Sequence, residues 1–165
     1  MGGQEQFVSR GRYTVIPRTL IFLTHGDAVL LLKGAPTKRL WAGRYNGLGG
    51  HVEPGETVLA AALREVREEA GIAPGQITDF ALRAVHSIEG EPHGVLLCIF
   101  TGVAQTRAVA ASPEGTPEWV PIAELGRIDL VDDNRFLPRL LHESALLFGH
   151  QRQAADGTLL AFTLE

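Results

Sequence analysis

The fold class this sequence predicts is α+β, a sandwich built on a mixed sheet, and three observations lead to it. Apolar, β-branched runs recur between turn formers, and one Ala- and Leu-rich run has helical spacing. Strands and helices also fail to alternate strictly, so a wholly parallel βαβ sheet is not expected. With 165 residues, 45% apolar and 21% charged, the chain reads as one domain over 13–165 behind a loose polar tail over 1–12.

Taken in order, "YTVIPRTLIFLTH" and "DAVLLLK" are a strand and its neighbour, parted by a Gly26-Asp27 turn signal. "WAGRYNGLGGHVEPGE" is too rich in glycine for a regular element. A helix is expected from about Thr57 to Ala70, because Val58, Ala62, Val66 and Ala70 form a four-spaced apolar stripe. Strands follow near 77–88 and 94–103 and at "EWVPI". The end reads as a helix around "RFLPRLLHESAL", then a hairpin of "LLFGHQRQ" and "GTLLAFTLE" turning at Ala155-Asp156-Gly157. Pro138 is tolerated only in the first turn of that helix.

Composition removes several function classes. A net charge of −4 offers no broad basic field to a nucleic acid polymer. No apolar run approaches a membrane span, and the first dozen residues lack the apolar core of a signal peptide. Cys98 is the single cysteine and sits in "GVLLCIF", which reads as a buried strand in a protein of the reducing cytoplasm. A monomer or a homodimer fits this composition.

The chemistry is concentrated in the Thr57–Ala70 helix and the loop before it. Glu65, Glu68 and Glu69 are expected to converge along one helix edge. Arg64 relieves Glu68 at i, i+4, but Glu65 and Glu69 are a like-charge i, i+4 pair that costs roughly 0.2–0.5 kcal/mol in water. A divalent cation reverses that sign. Hard oxygen ligands without cysteine select Mg²⁺, or Mn²⁺, over Zn²⁺, and Mg²⁺ is commonly shared with substrate phosphates. The other reading is a solvated acidic face balanced by Arg64 and Arg67. Gly47, Gly49, Gly50 and Gly55 allow close backbone approach to a ligand just before the helix N-terminus, or serve an ordinary connection.

Gly50, Glu56, Arg64, Glu65, Val66, Glu68, Glu69, Gly71 and Ile72 fill every specified place of G-x5-E-x7-R-E-U-x-E-E-x-G-U, with U aliphatic. In this the chain resembles the Nudix hydrolases. That resemblance implies an α/β/α sandwich and Mg²⁺-dependent hydrolysis of a nucleoside diphosphate linked to another group. It implies Glu65, Glu68 and Glu69 as metal ligands, with one of them or a glutamate outside the box as general base. Arg64 is then the orienter of those carboxylates, Gly50 a carbonyl donor to metal, and Glu56, with Gly71, structural in the loop and helix end. Such chemistry is consistent with the cluster, since a poor water nucleophile facing a charged polyphosphate needs a metal and a base.

"WAGRYNGLGG", "VDDNRFLPRLL" and "GHQRQAADGTLLAFTL" are in addition similar to the animal-type oxidised purine nucleoside triphosphatases, relatives of bacterial MutT. The likeness implies a purine read by Asn46 and by Asp132 and Asp133, and a loop Glu114 able to reach a metal. An Asn amide offers both donor and acceptor, and two adjacent carboxylates in a closed pocket share a proton. Each of these has a plainer reading: a turn residue for Asn46, a helix cap for the aspartates, a solvated acid for Glu114. Trp41, Tyr45 and Phe136 are candidates to stack on the base, while Trp119 reads as core. Two positions depart from the likeness. His51 stands where many relatives carry lysine, and Val131 replaces a tryptophan.

The function expected is hydrolysis of an oxidised purine nucleoside triphosphate, such as 8-oxo-dGTP, to monophosphate and pyrophosphate. A different substrate, ADP-ribose or a dinucleoside polyphosphate, is the alternative. His86 and Ser87 stand where ADP-ribose hydrolases often have proline, which disfavours that one. A nucleotide sensor without catalysis is the remote reading, because sensors usually lack a box carboxylate.

Overall fold

The computed structural model describes residues 12–37, 41–131, 136–154 and 158–165. Among them the strands are β1 (Val15–His25), β2 (Ala28–Gly34), β3 (Tyr45–Asn46), β4 (Ile77–Glu89), β5 (Gly94–Ala104), β6 (Gly115–Pro121), β7 (Leu147–Gln153) and β8 (Leu159–Leu164). The helices are α1 (Val58–Ala70) and α2 (Leu137–His142). The strands join in one mixed sheet of order β3-β2-β1-β5-β4-β7-β8, with β6 paired to β2. β1 runs parallel to β5 and β4 parallel to β7, while the other named pairs are antiparallel.

Period-two alternation in the central strands gives the sheet two apolar faces. Leu20, Phe22, Val29 and Leu31 pack with Leu137 and Leu140 of α2. Ile21, Leu23, Leu30 and Leu32 pack with Ala62, Val66 and Ala70 of α1. Helices on both faces make the expected α/β/α sandwich. Cys98 lies buried in β5, where desolvation pushes its thiol above the ordinary range.

Three expected elements differ from what forms. The glycine-rich segment does contain a strand, because Tyr45 and Asn46 pair with Lys33 and Leu32. The segment then crosses over to β1, forming bridges Ile21↔Leu48 and Arg18↔His51. It therefore acts as a wedge that holds the far end of β2 away from β1. The strand expected at "EWVPI" starts earlier, at Gly115, since β2 offers it a full antiparallel edge from Ala28 to Gly34. α2 is shorter than expected: Pro138 sits in its first turn, and extended backbone at Glu143 ends it. The expected hairpin turn at Ala155-Asp156-Gly157 lies outside the described residues, as does the expected tail apart from Arg12.

Candidate active site

Helix α1 is set by local signals at both ends. Thr57 accepts the Ala60 N–H at 3.1 Å as N-cap, and Gly71 closes the helix with φ 73°, a left-handed value suited to glycine. The stripe of Val58, Ala62, Val66 and Ala70 faces the sheet. The glutamates flank it unequally. Glu65 and Glu69 are 9% and 3% exposed, whereas the Glu68 side chain is 59% exposed. Their burial thus differs, although one Arg64 nitrogen reaches both Glu65 and Glu68. Helical rotation carries Glu65 and Glu69 toward the core beside Val66 and leaves Glu68 to solvent.

The loop before α1 is stitched to β1. Gly50 accepts the Thr19 N–H at 2.8 Å, Leu48 accepts from Ile21 at 2.7 Å, and Val52 donates to the Pro17 carbonyl at 3.1 Å. Gly49 has φ 142°, and a Cβ there would strike the Thr19 carbonyl, so this close approach requires glycine. Its N–H donates to Glu69 Oε2 at 2.7 Å. A Cβ on Gly50 would fill the space taken by the Glu65 carboxylate. The two glycines therefore make a recess for the two buried glutamates.

Arg64 is the hub of the polar network. Its Nε and Nη2 donate to the two Glu56 oxygens at 3.2 and 2.8 Å. Its Nη1 donates to Glu65 Oε1 at 2.8 Å and Glu68 Oε2 at 3.1 Å, and Nη2 also reaches the His51 carbonyl at 3.1 Å. Glu56 in turn accepts the Glu53 N–H at 2.7 Å, so this acid ties the loop to the helix. Arg64, and then the Glu53 amide, hold the Glu56 carboxyl below the usual carboxylate range, while the guanidinium is pushed up chiefly by Glu56. Burial pushes the Glu65 carboxyl up despite the Arg64 contact, with the charges of Glu68 and Glu114 adding to the rise.

Among the described residues, no three His, Cys, Asp or Glu side chains already converge as a metal-binding group. The donor set still suits a hard cation. It is all oxygen, the Glu65 carboxylate is desolvated in the Gly50 recess, and Glu114 is close enough for its charge to be felt there. A cation at that point would relieve the desolvation penalty that raises Glu65.

A cleft opens beside these glutamates, lined by Arg18, Trp41, Arg44, Asn46, Glu69 and Glu114 among others. Trp41 takes a left-handed φ of 62°, and its carbonyl accepts the Arg44 N–H at 3.1 Å across the turn. Asn46 Oδ1 accepts the Gly47 N–H at 2.9 Å, so this side chain both shapes the turn and lines the cleft. Tyr45 is otherwise engaged: its hydroxyl donates to Glu118 at 2.7 Å, and Lys33 lies 5.3 Å from its ring centre.

Phe136, expected to stack on a base, is corrected by the structure. It is fully buried in the α2-side core, 6.3 Å from the Phe22 ring and 5.7 Å from that of His86, because apolar neighbours on β1 and β4 draw it inward. Trp119 is core-packed as expected, with its indole N–H donated to the Arg107 carbonyl at 3.0 Å. Val131 is buried, and its N–H donates to the Tyr45 carbonyl at 2.8 Å. Asp132 and Asp133 lie outside the described residues. Arg18 was missed by sequence reasoning. A lone guanidinium in the otherwise apolar run "VIPRTLIFL" was its only signal.

Comparison with known proteins follows the same outline. The NUDIX domain matches residues 15–140. An oxidized purine nucleoside triphosphate hydrolase of Mus musculus is 28% identical over 146 residues, covering 88% of this chain and 92% of that protein. A protein of the same name from Danio rerio is 31% identical over 143 residues, covering 84% and 87%. Among solved structures, a MutT protein from Bacillus halodurans aligns with a TM-score of 0.78 at 25% identity, over 92% of this chain and 98% of that one. Among the described residues, no helix is long and apolar enough to cross a membrane.

Proposed function

The chain belongs to the NUDIX family of pyrophosphohydrolases, which act on small nucleotide substrates with divalent metal ions, and from that premise we propose that it hydrolyses an oxidised purine nucleoside triphosphate, such as 8-oxo-dGTP, to the monophosphate and pyrophosphate. The observation that carries this reading is the nine-position match over 50–72, folded so that Glu69 lines the same cleft as Asn46 and Glu114. Identity of 28% and 31% to proteins named for that substrate, over most of their length, supports the choice of nucleotide.

Glu65, Glu68, Glu69, the Gly50 carbonyl and Glu114 would hold Mg²⁺, or Mn²⁺. When bound, the cation neutralises phosphate oxygens and lowers the pKa of the attacking water. A box glutamate takes the proton of that water as its oxygen bonds to phosphorus and the bridging P–O bond breaks toward pyrophosphate. Arg64 holds Glu65 and Glu68 in place. Asn46 presents an amide donor and acceptor to the purine edge from β3, and Trp41 offers a ring at the cleft wall. Asp132 and Asp133, which lie outside the described residues, are the other candidates to read the base. The protein works as a monomer or homodimer in the cytoplasm, a setting that a single buried cysteine suits.

A panel of nucleotides with and without base oxidation, assayed with Mg²⁺ for monophosphate and pyrophosphate, tests the reading. The expected result is the highest kcat/KM on an oxidised purine triphosphate. Cleavage of ADP-ribose or a dinucleoside polyphosphate with no turnover of triphosphates would overturn it.

A further inference from the structure

Arg18 is a cleft residue that the reaction just described leaves unused. It sits on β1 opposite His51, next to the strand-like bond between Thr19 and Gly50, and it lines the cleft shared by Glu69 and Glu114. Among the described residues none forms a hydrogen bond or an ion pair with its side chain, and its Nε is shielded from solvent without an acceptor. The other guanidinium of the cleft, Arg44, is already committed to Asp129 at 3.1 Å and to the Leu130 carbonyl at 2.6 Å.

A guanidinium left without an acceptor is unfavourable, and at a cleft wall an entering anion would supply one. The planar fork of five donors matches phosphate oxygens two at a time. We infer that Arg18 is a substrate-binding residue that clamps the polyphosphate of the nucleotide, from the wall of the cleft it shares with Glu69 and Glu114. This rests on the hydrolase reading above. Arg18 would add a fixed positive charge to the one a glutamate-held cation would supply to the phosphates. Its consequence is affinity that does not depend on the base.

Inorganic tripolyphosphate, which has no base, is the probe. Its binding to the Mg²⁺-loaded full chain is measured by calorimetry for wild type, Arg18→Ala and Arg18→Lys. Arg18→Ala should weaken tripolyphosphate roughly 10- to 100-fold, with partial recovery in Arg18→Lys, as expected for loss of a charge-assisted bidentate contact. In steady-state assays, KM should rise by one common factor for purine and pyrimidine triphosphates. Tripolyphosphate affinity within about twofold of wild type overturns the inference, whether selectivity among bases shifts, which would make Arg18 a base reader, or only the melting temperature falls, which would make it structural. A wild type that binds tripolyphosphate through Arg18 but cleaves another nucleotide overturns the substrate assignment alone. A wild type that prefers 8-oxo-dGTP while Arg18→Ala keeps its affinity overturns only the role of Arg18.

Discussion

Beneath α1, the buried polar groups are supplied with partners: Glu69 accepts the Gly49 N–H at 2.7 Å and Glu65 accepts Arg64 at 2.8 Å. On the opposite face, His86 and Gln151 are fully buried and share one 3.3 Å contact, with His86 Nδ1 and Gln151 Nε2 left without a hydrogen bond. The rings of Phe136 and Phe162 close over the imidazole at 5.7 and 5.6 Å. Glu69 of the first pair borders a cleft, and the second pair is enclosed by aromatic rings. Burial alone therefore does not mark a reacting group; burial combined with a path to ligand does.

Replacing the glutamates should break this contrast most strongly. Glu65→Gln and Glu68→Gln should each lower kcat by about 10³-fold or more if they hold the metal. Their stabilities should then part. The Glu65 carboxyl is raised above its ordinary 4.5 by burial, so its ionisation costs the folded state as pH climbs past that raised value. Metal-free Glu65→Gln should accordingly melt higher than wild type at pH 7, an advantage that fades as pH falls toward 4.5. Glu68, being exposed, should show little such gain. Equal melting shifts in the two variants would remove burial as the distinction.

Phe136→Ala tests the correction on the closed side. A core ring truncated to Ala should cost about 3–5 kcal/mol in urea unfolding with KM hardly changed. A base-stacking role predicts the reverse pattern.

The orphaned pair offers a smaller effect. His86→Leu or Gln151→Leu alone should cost about 1–3 kcal/mol by leaving a buried partner unpaired, and the double variant should recover most of it. Burial first, and the nearby charge of His150, hold the His86 pKa below 6.5, against the Gln151 contact that raises it. The unfolded chain then takes up the proton first, so stability present above 6.5 is lost as pH falls through and below that value. That acid slope should flatten in the double variant, and an unchanged slope would assign it to other groups.

Asn46→Ala should have the mildest effect, about 0.5–1.5 kcal/mol in kcat/KM, confined to the preferred purine. Equal loss on pyrimidine triphosphates would reduce Asn46 to the turn contact with Gly47.

The parts of the fold legible from sequence are those decided within a few residues. Thr57 and Gly71 bound α1 because capping is a local contact, and the stripe from Val58 to Ala70 names its inward face. The alternation in β1 likewise sorts Leu20 and Phe22 from Ile21 and Leu23. The acidic edge was legible only in part. Helical spacing brings Glu65, Glu68 and Glu69 near one another, but which of them is buried depends on the loop that folds over α1.

Sequence alone thus determined the box, its spacing and the chemistry those residue types favour, since the relevant charges and caps lie within one loop and helix. Tertiary structure decided the rest: the wedge of β3 between β1 and β2, the inward turn of Phe136, the enclosure of His86 with Gln151, and the placement of Arg18 at the cleft wall. Each of these turns on neighbours tens of residues away, and whether a polar side chain is solvated, paired or orphaned is fixed by the surfaces that meet it.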